Sequence, residues 1–200
     1  MRAFTFLTLG LASLGLASCS PSNNGGDDSN GGDHGQCISR AEAGELAQAY
    51  AALIGAFKET DAEHWLADDF IEHSDSINTF INKPLGSMTF DKASFIANQA
   101  SGELPPTPVT VVGEPLVECN RVVILWSSTF GKGWPAKGVT VVEVKKNGDK
   151  DGRSKWLMKR WDVEFNSLAW AYDMGQYYCL FGKGFGEVSA CGAPKARGLE

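Results

Sequence analysis

Apolar and polar residues follow three different rhythms along this chain. From Phe4 to Ala17 nearly every residue is apolar or small, after a single charge at Arg2. From Ser20 to Gln36 no large apolar side chain occurs at all. Helical spacing then sets in: Leu46, Tyr50, Leu53, Ile54 and Phe57 fall on one face, which predicts an amphipathic helix over about 40–58. Ser39 and Glu42 stand ahead of it at the spacing of a capping box. Thr60 and Glu63 repeat that spacing and predict a short second helix that carries Trp65 and Leu66 and ends near Asp68 and Asp69. Phe70 to Ser74 then reads as extended. Asp91, flanked by Phe90 and Phe95, predicts the cap and hydrophobic staple of a third helix that ends near Ala100.

Pro105, Pro106 and Pro108 stop further helix, and beyond them the rhythm changes to period two. The expected strands are Val109–Val112, Pro115–Cys119, Arg121–Phe130, Gly138–Lys145 and Lys155–Asn166. In the third, Val122, Ile124, Trp126, Ser128 and Phe130 share one face. Asn147-Gly148 opens a polar turn to Ser154, as a hairpin between the last two long strands requires. Helices first and strands afterwards give an α+β plan: three N-terminal helices packed on one face of a strongly curved, mostly antiparallel sheet.

The start of the chain reads as an export signal: a charged first residue pair, an apolar middle and small residues at Ala17-Ser18. The apolar run is too short to span a bilayer, and no other stretch is long enough. Leu16-Ala17-Ser18-Cys19 also fits a bacterial lipoprotein box with Cys19 as the lipidated residue, so two readings stand here. Residues 20–36 form a Gly, Ser, Asn and Asp linker that cannot bury enough surface to order itself. The organisation expected is signal 1–19, linker 20–36, folded domain 37–178 and a Gly-rich tail 179–200.

Charge and cysteines narrow the function classes. The net charge is −6, and without Arg2, Asp27, Asp28 and Asp33 the remainder carries −4. A mildly acidic domain without a basic cluster argues against nucleic-acid binding. Beyond Cys19 four cysteines remain: Cys37, Cys119, Cys179 and Cys191. An even number in an exported chain suggests two disulfides. Their connectivity stays open; Cys179 with Cys191 would close a Gly-rich loop and leave Cys37 to pin the domain start to Cys119 on the sheet. No cysteine pair or histidine pair has zinc-ligand spacing, so no metal and no cofactor is expected.

Several short motifs resemble secreted fungal proteins of the nuclear transport factor 2-like superfamily. They are Leu66-Ala67-Asp68-Asp69-Phe70, Ser74-Asp75-Ser76-Ile77-Asn78, Pro84-Leu85-Gly86-Ser87 and Glu164-Phe165-Asn166-Ser167-Leu168-Ala169-Trp170, with Cys37 before the first helix and Cys119 ahead of the Trp126 strand. His73 stands where those proteins would carry Tyr, and the Gly-rich tail is an addition. The resemblance implies a sheet curled into a cone around a pocket closed by the helices. It also implies plain secretion rather than a lipid anchor. The superfamily holds dehydratases, isomerases and polyketide cyclases beside members without known activity, so fold alone does not choose a reaction.

Three readings follow. The leading one is a secreted, non-catalytic module that binds a small, largely apolar ligand in a conical pocket. Its candidate lining is Trp126, Phe70, Trp65, Glu164 and Asn166. The second is a lyase or isomerase using His73 with Asp75 or Glu164, since residues 73 and 75 of an extended segment point the same way. Against it, Asp75 and Ser76 suit a turn cap, and Glu164 and Asn166 suit the backbone groups where a sheet ends. The third is an interaction or homodimer module using the open sheet face. No Gly-x-Ser-x-Gly and no phosphate loop occurs.

Overall fold

A computed structural model of the chain describes residues 37–102, 107–148 and 152–175, and the backbone of Cys179–Leu180 and Lys183–Gly184. All of these belong to one unit, Gln36–Glu200. The signal and linker expected over residues 1–36 lie outside the described residues.

Helix α1 spans Arg40–Gly55, and both halves of its capping box form. The Glu42 amide donates to Ser39 Oγ at 3.3 Å, and the Ser39 amide donates to Glu42 Oε2 at 2.8 Å. Leu46, Tyr50 and Leu53 bury the stripe. Helix α2, Glu59–Trp65, differs from expectation at both ends. Its N-cap is Lys58, with no side-chain cap bond, so the Thr60–Glu63 pair does not act as a box. It stops at Trp65 because Leu66 already belongs to strand β1, Leu66–His73, where it pairs with Met158 of the central sheet. The ladder bonds of a central neighbour replace those of one more helical turn.

Three elements were not visible in the apolar rhythm. Helix α3, Asp75–Phe80, begins where Ser74 Oγ accepts the Ile77 amide at 3.0 Å. Strand β2, Met88–Asp91, returns antiparallel to β1. Helix α5, Ser167–Asp173, lies beyond the sheet. Each is too short to show a period. Helix α4, Lys92–Ala100, starts at Asp91, whose carboxylate accepts the Ser94 amide at 2.8 Å while Ser94 Oγ accepts the Asp91 amide.

The remaining strands are β3 Val109–Val111, β4 Leu116–Glu118, β5 Arg121–Ser128, β6 Ala136–Lys146 and β7 Trp156–Phe165. A two-residue pair, β8 Cys179–Leu180 with β9 Lys183–Gly184, stands apart. The large sheet runs β2-β1-β7-β6-β5-β3, with β4 beside β3 on the same edge of β5. Between β3 and β4 the edge is broken by Gly113, at φ +73°, and Pro115, which has no ladder donor. The β1–β7 pair is parallel and the others are antiparallel, so the sheet is mixed. Register shifts in β1 and β6 add local twist to a sheet that curls without closing. This is the expected α+β plan, with five helices among the described residues in place of three.

The helix-covered face of the sheet is built in rows. Val122, Val142 and Trp161 form one, Ile124, Thr140 and Val163 the next, and Trp126, Gly138 and Phe165 the third. Trp161 is fully buried and meets Tyr50, Phe70 and Phe95 edge-on, at 4.9, 5.0 and 5.3 Å between ring centres. That packing ties α1, β1 and α4 to β7.

Cys37 and Cys119 form a disulfide with Cα atoms 4.4 Å apart. Cys119 sits at φ +42° in the two-residue turn between β4 and β5, and its carbonyl accepts the Ile38 amide at 3.2 Å. The Cys179 side chain and Cys191 lie outside the described residues. Among the described residues no helix is long and apolar enough to cross a membrane.

The Cys37–Cys119 bridge closes a loop with a sequence separation of 82. The chain-entropy model then expects up to roughly 4 kcal/mol of stabilisation. Denaturant unfolding of the double variant Cys37→Ser/Cys119→Ser should show a loss of that order; an unchanged midpoint would mean that the bridge constrains nothing.

Candidate functional site

Strand β1 decides which face each candidate reaches. Phe70 and Glu72 point to the helix-covered side, and Ile71 and His73 point away. Phe70 is spent in the ring cluster around Trp161. Glu72 lines a pocket of about 130 Å³ over the second and third rows of the sheet. Tyr50 and Ile54 from α1, Phe95 from α4, and Trp126, Val163 and Phe165 from the sheet form its depth. Ile77, Phe80 and Ile81 of the α3 segment, Phe90, and Trp170 with Met174 surround its mouth, where Asn98, Gln99 and Thr107 add polar groups. The spacings follow from the helices: Tyr50 and Ile54, Phe95 and Gln99, and Trp170 and Met174 are each four apart.

Glu72 is 2% exposed, and its Oε2 has no hydrogen-bond partner in the protein. Burial pushes its carboxyl up to about 8, so at neutral pH the group is largely protonated. A neutral carboxyl offers one O–H donor and one acceptor. Beside it runs a chain of buried polar contacts. Trp126 Nε1 donates to Thr140 Oγ1 at 2.9 Å, and the Thr140 hydroxyl donates to Tyr50 Oη at 2.7 Å. Burial pushes the Tyr50 phenol up, and the Glu72 carboxyl pushes it further in the same direction. Glu72 and Tyr50 are the titratable groups on the pocket wall. The wall therefore suits a small, mainly apolar molecule with one polar group. It does not hold an acid–base pair of opposite charge.

Glu72 was not among the sequence candidates. Its signal was available: once Phe70 is placed inward on an extended segment, Glu72 follows two residues on.

The other candidates divide between several places. Trp126 lies on the pocket wall. Trp65 ends α2, half-buried, with His64 edge-on at 5.1 Å, and is not a lining residue. His73, Asp75 and Glu164 are brought together, but on the opposite face of the sheet, along a shallow hollow of about 320 Å³ with Arg160 and Asp162. Two of the three carboxyl and imidazole groups are engaged there. Glu164 Oε1 accepts the Asp75 amide at 2.9 Å and Oε2 accepts the Ser76 hydroxyl, so Glu164 caps α3. The Asp75 carboxylate accepts the Gly86 amide at 2.6 Å and fastens the following loop. Nor do residues 73 and 75 lie on one strand, because Ser74 ends the extended segment as the cap of α3. Asn166 caps α5, its Oδ1 accepting the Ala169 amide at 3.1 Å. No group of His, Cys, Asp and Glu among the described residues could hold a metal ion.

A family model described as NTF2-like domain matches residues 36–177. The chain belongs to the NTF2-like family. No curated protein matches the sequence. Solved structures similar to this NTF2-like chain include nuclear transport factor 2 of Cryptosporidium parvum. It is 10% identical, covers 66% of this chain and 98% of its own, and has a TM-score of 0.48. IdmH of Streptomyces antibioticus, a candidate polyketide cyclase, is 12% identical over 67% and 99% of the two chains at a TM-score of 0.47. A candidate SnoaL-like isomerase of Agrobacterium tumefaciens is 14% identical over 61% and 95%, at 0.44.

The buried carboxyl gives a pH signature. In the unfolded chain Glu72 ionises near 4.5, and in the native domain only near 8. Between those values the native state holds the extra proton, so stability falls as pH rises across this window and levels off above it. The slope from this group approaches about 1.4 kcal/mol per pH unit. Thermal melts of wild type and Glu72→Gln from pH 4 to 9 should diverge by that slope, with Glu72→Gln the flatter; parallel curves would show that the carboxyl is not held neutral.

Proposed function

We propose that this NTF2-like chain is an exported, non-catalytic module that binds a small, largely apolar molecule in the pocket over Trp126. Neutral Glu72 hydrogen-bonds the ligand's polar group. The observation that carries this reading is the unpartnered Glu72 Oε2, buried in a mainly apolar wall. A buried polar atom without a partner costs on the order of 1–3 kcal/mol, and a bound ligand removes that cost. Rings from Tyr50, Phe95, Trp126 and Phe165 supply the apolar contact. Export is supported by the Arg2 to Ser18 segment, and lipid attachment through Cys19 is the alternative route to the same compartment.

A lyase or isomerase is the second reading, and one observation favours a form of it. A carboxyl that titrates near 8 suits proton transfer at neutral pH. The group to which such chemistry would fall is Glu72. His73, Asp75 and Glu164, the residues on which the enzyme reading first rested, line a hollow on the other face of the sheet.

Titration with 2-naphthol, a flat uncharged ring bearing one hydroxyl, tests the binding reading. Wild type should bind it saturably, one per chain. Glu72→Leu should weaken binding about tenfold, the value of one hydrogen bond of some 1.4 kcal/mol. Glu72→Gln, which keeps a donor and an acceptor, should bind within about threefold of wild type. Absence of saturable binding, or indifference to Glu72→Leu, overturns the reading. Consumption of a carbonyl substrate by wild type but not by Glu72→Gln would transfer the case to the enzyme.

A further inference from the structure

Gly138 is the middle member of the pocket row, paired across the sheet with Trp126 of β5 on one side and Phe165 of β7 on the other. It is not in a turn, and its backbone needs no positive φ. The reason for glycine lies in the neighbouring strand. A Cβ built on Gly138 would come within 3.0 Å of three atoms of the Trp126 six-membered ring, Cζ2, Cε2 and Cη2. The indole therefore occupies the place that a side chain at 138 would take. Its nitrogen reaches Thr140, two residues further along the same face of β6. The ring thus lies over β6 and forms part of the pocket wall, with Phe165 and Trp170 at 5.8 and 6.3 Å from it.

We propose that Gly138 sets which ligands the pocket accepts: by seating Trp126 flat on β6 it keeps the floor open for a planar ring. This inference rests on the ligand-binding reading above. A methyl group at 138 cannot be absorbed by the β6 backbone, which is paired on both sides. The rigid indole must rise from the sheet instead, and the space above the sheet is the pocket. A rise also pulls Nε1 from Thr140 and so disturbs the contact that Thr140 makes with Tyr50. In a pocket of about 130 Å³ a displaced indole fills much of the floor. Large flat ligands should suffer first and single-ring ligands least. Gly138 is thus a positioning residue that acts through Trp126.

The test compares wild type, Gly138→Ala and the double variant Gly138→Ala/Trp126→Phe. Each is titrated with 2-naphthol and with phenol, and the Trp126 indole N–H is followed by NMR. Gly138→Ala should weaken 2-naphthol at least tenfold and phenol less than threefold, with the indole resonance shifted. The double variant, whose smaller ring tolerates the methyl, should bind 2-naphthol at least threefold more tightly than Gly138→Ala and more weakly than wild type, since the indole wall is gone. That recovery separates lost space from a damaged fold. Equal binding by Gly138→Ala, or no recovery in a folded double variant, overturns the role of Gly138. Failure of wild type to bind either probe overturns the ligand-binding reading instead. The indole resonance still judges the seat by itself: an unshifted signal in Gly138→Ala refutes it.

Discussion

The packing of Trp161 is the contact on which the other elements depend. Strand β7 carries it, and β7 pairs with β1 on one side and β6 on the other. Three rings, from α1, β1 and α4, meet its indole edge-on within 5.3 Å. Such contacts add directional preference to burial, so they fix the angle of the helices as well as their attachment. Tyr50 takes part in this cluster and also lines the pocket, its hydroxyl oxygen accepting from Thr140. Core and pocket are consequently one continuous structure, joined through Tyr50.

That continuity explains how a carboxyl survives in the interior. Glu72 lies opposite Trp161 in the parallel β1–β7 register, where the sheet and helices exclude water. Burial there favours the protonated form, and desolvation is the dominant cause. A hydrophobic residue at 72 would suit folding better. Retaining Glu lowers stability in return for a donor and acceptor in an apolar wall. The ligand-binding role proposed for Glu72 would account for this departure, since sites of function commonly break the rules of the core around them.

The segment Glu164 to Trp170 joins the two faces of the sheet. Glu164 points outward and caps α3; Asn166 caps α5; Phe165 and Trp170 turn inward to the pocket. Helix α3 supplies the mouth residues Ile77 and Phe80, so the outward carboxylate of Glu164 positions groups that a ligand would meet on the other side. This family motif is, in its polar members Glu164 and Asn166, a set of helix caps. Its apolar members line the wall.

Elements long enough to show a period were legible in the sequence: α1 by its stripe from Leu46 to Phe57, and β5 by Val122, Ile124 and Trp126 alternating inward. Local caps at Ser39 and Asp91 were legible too, because both partners lie within four residues. The family followed from ordered short motifs in the chain. Tertiary structure alone decided the rest. Helices α3 and α5 are too short for a pattern, and α3 depends on Glu164, 89 residues away in the chain. Thr60 and Glu63 had the spacing of a cap without becoming one, since α2 already begins at Glu59 with Lys58 as its N-cap, which places Thr60 inside the helix. Which of Glu72 and His73 is buried is a matter of strand register, and a shift by one residue exchanges them. The seat of Trp126 on Gly138 is a contact between strands, and a linear pattern contains no term for the distance between a side chain and a residue twelve positions away that faces it only after the sheet has formed.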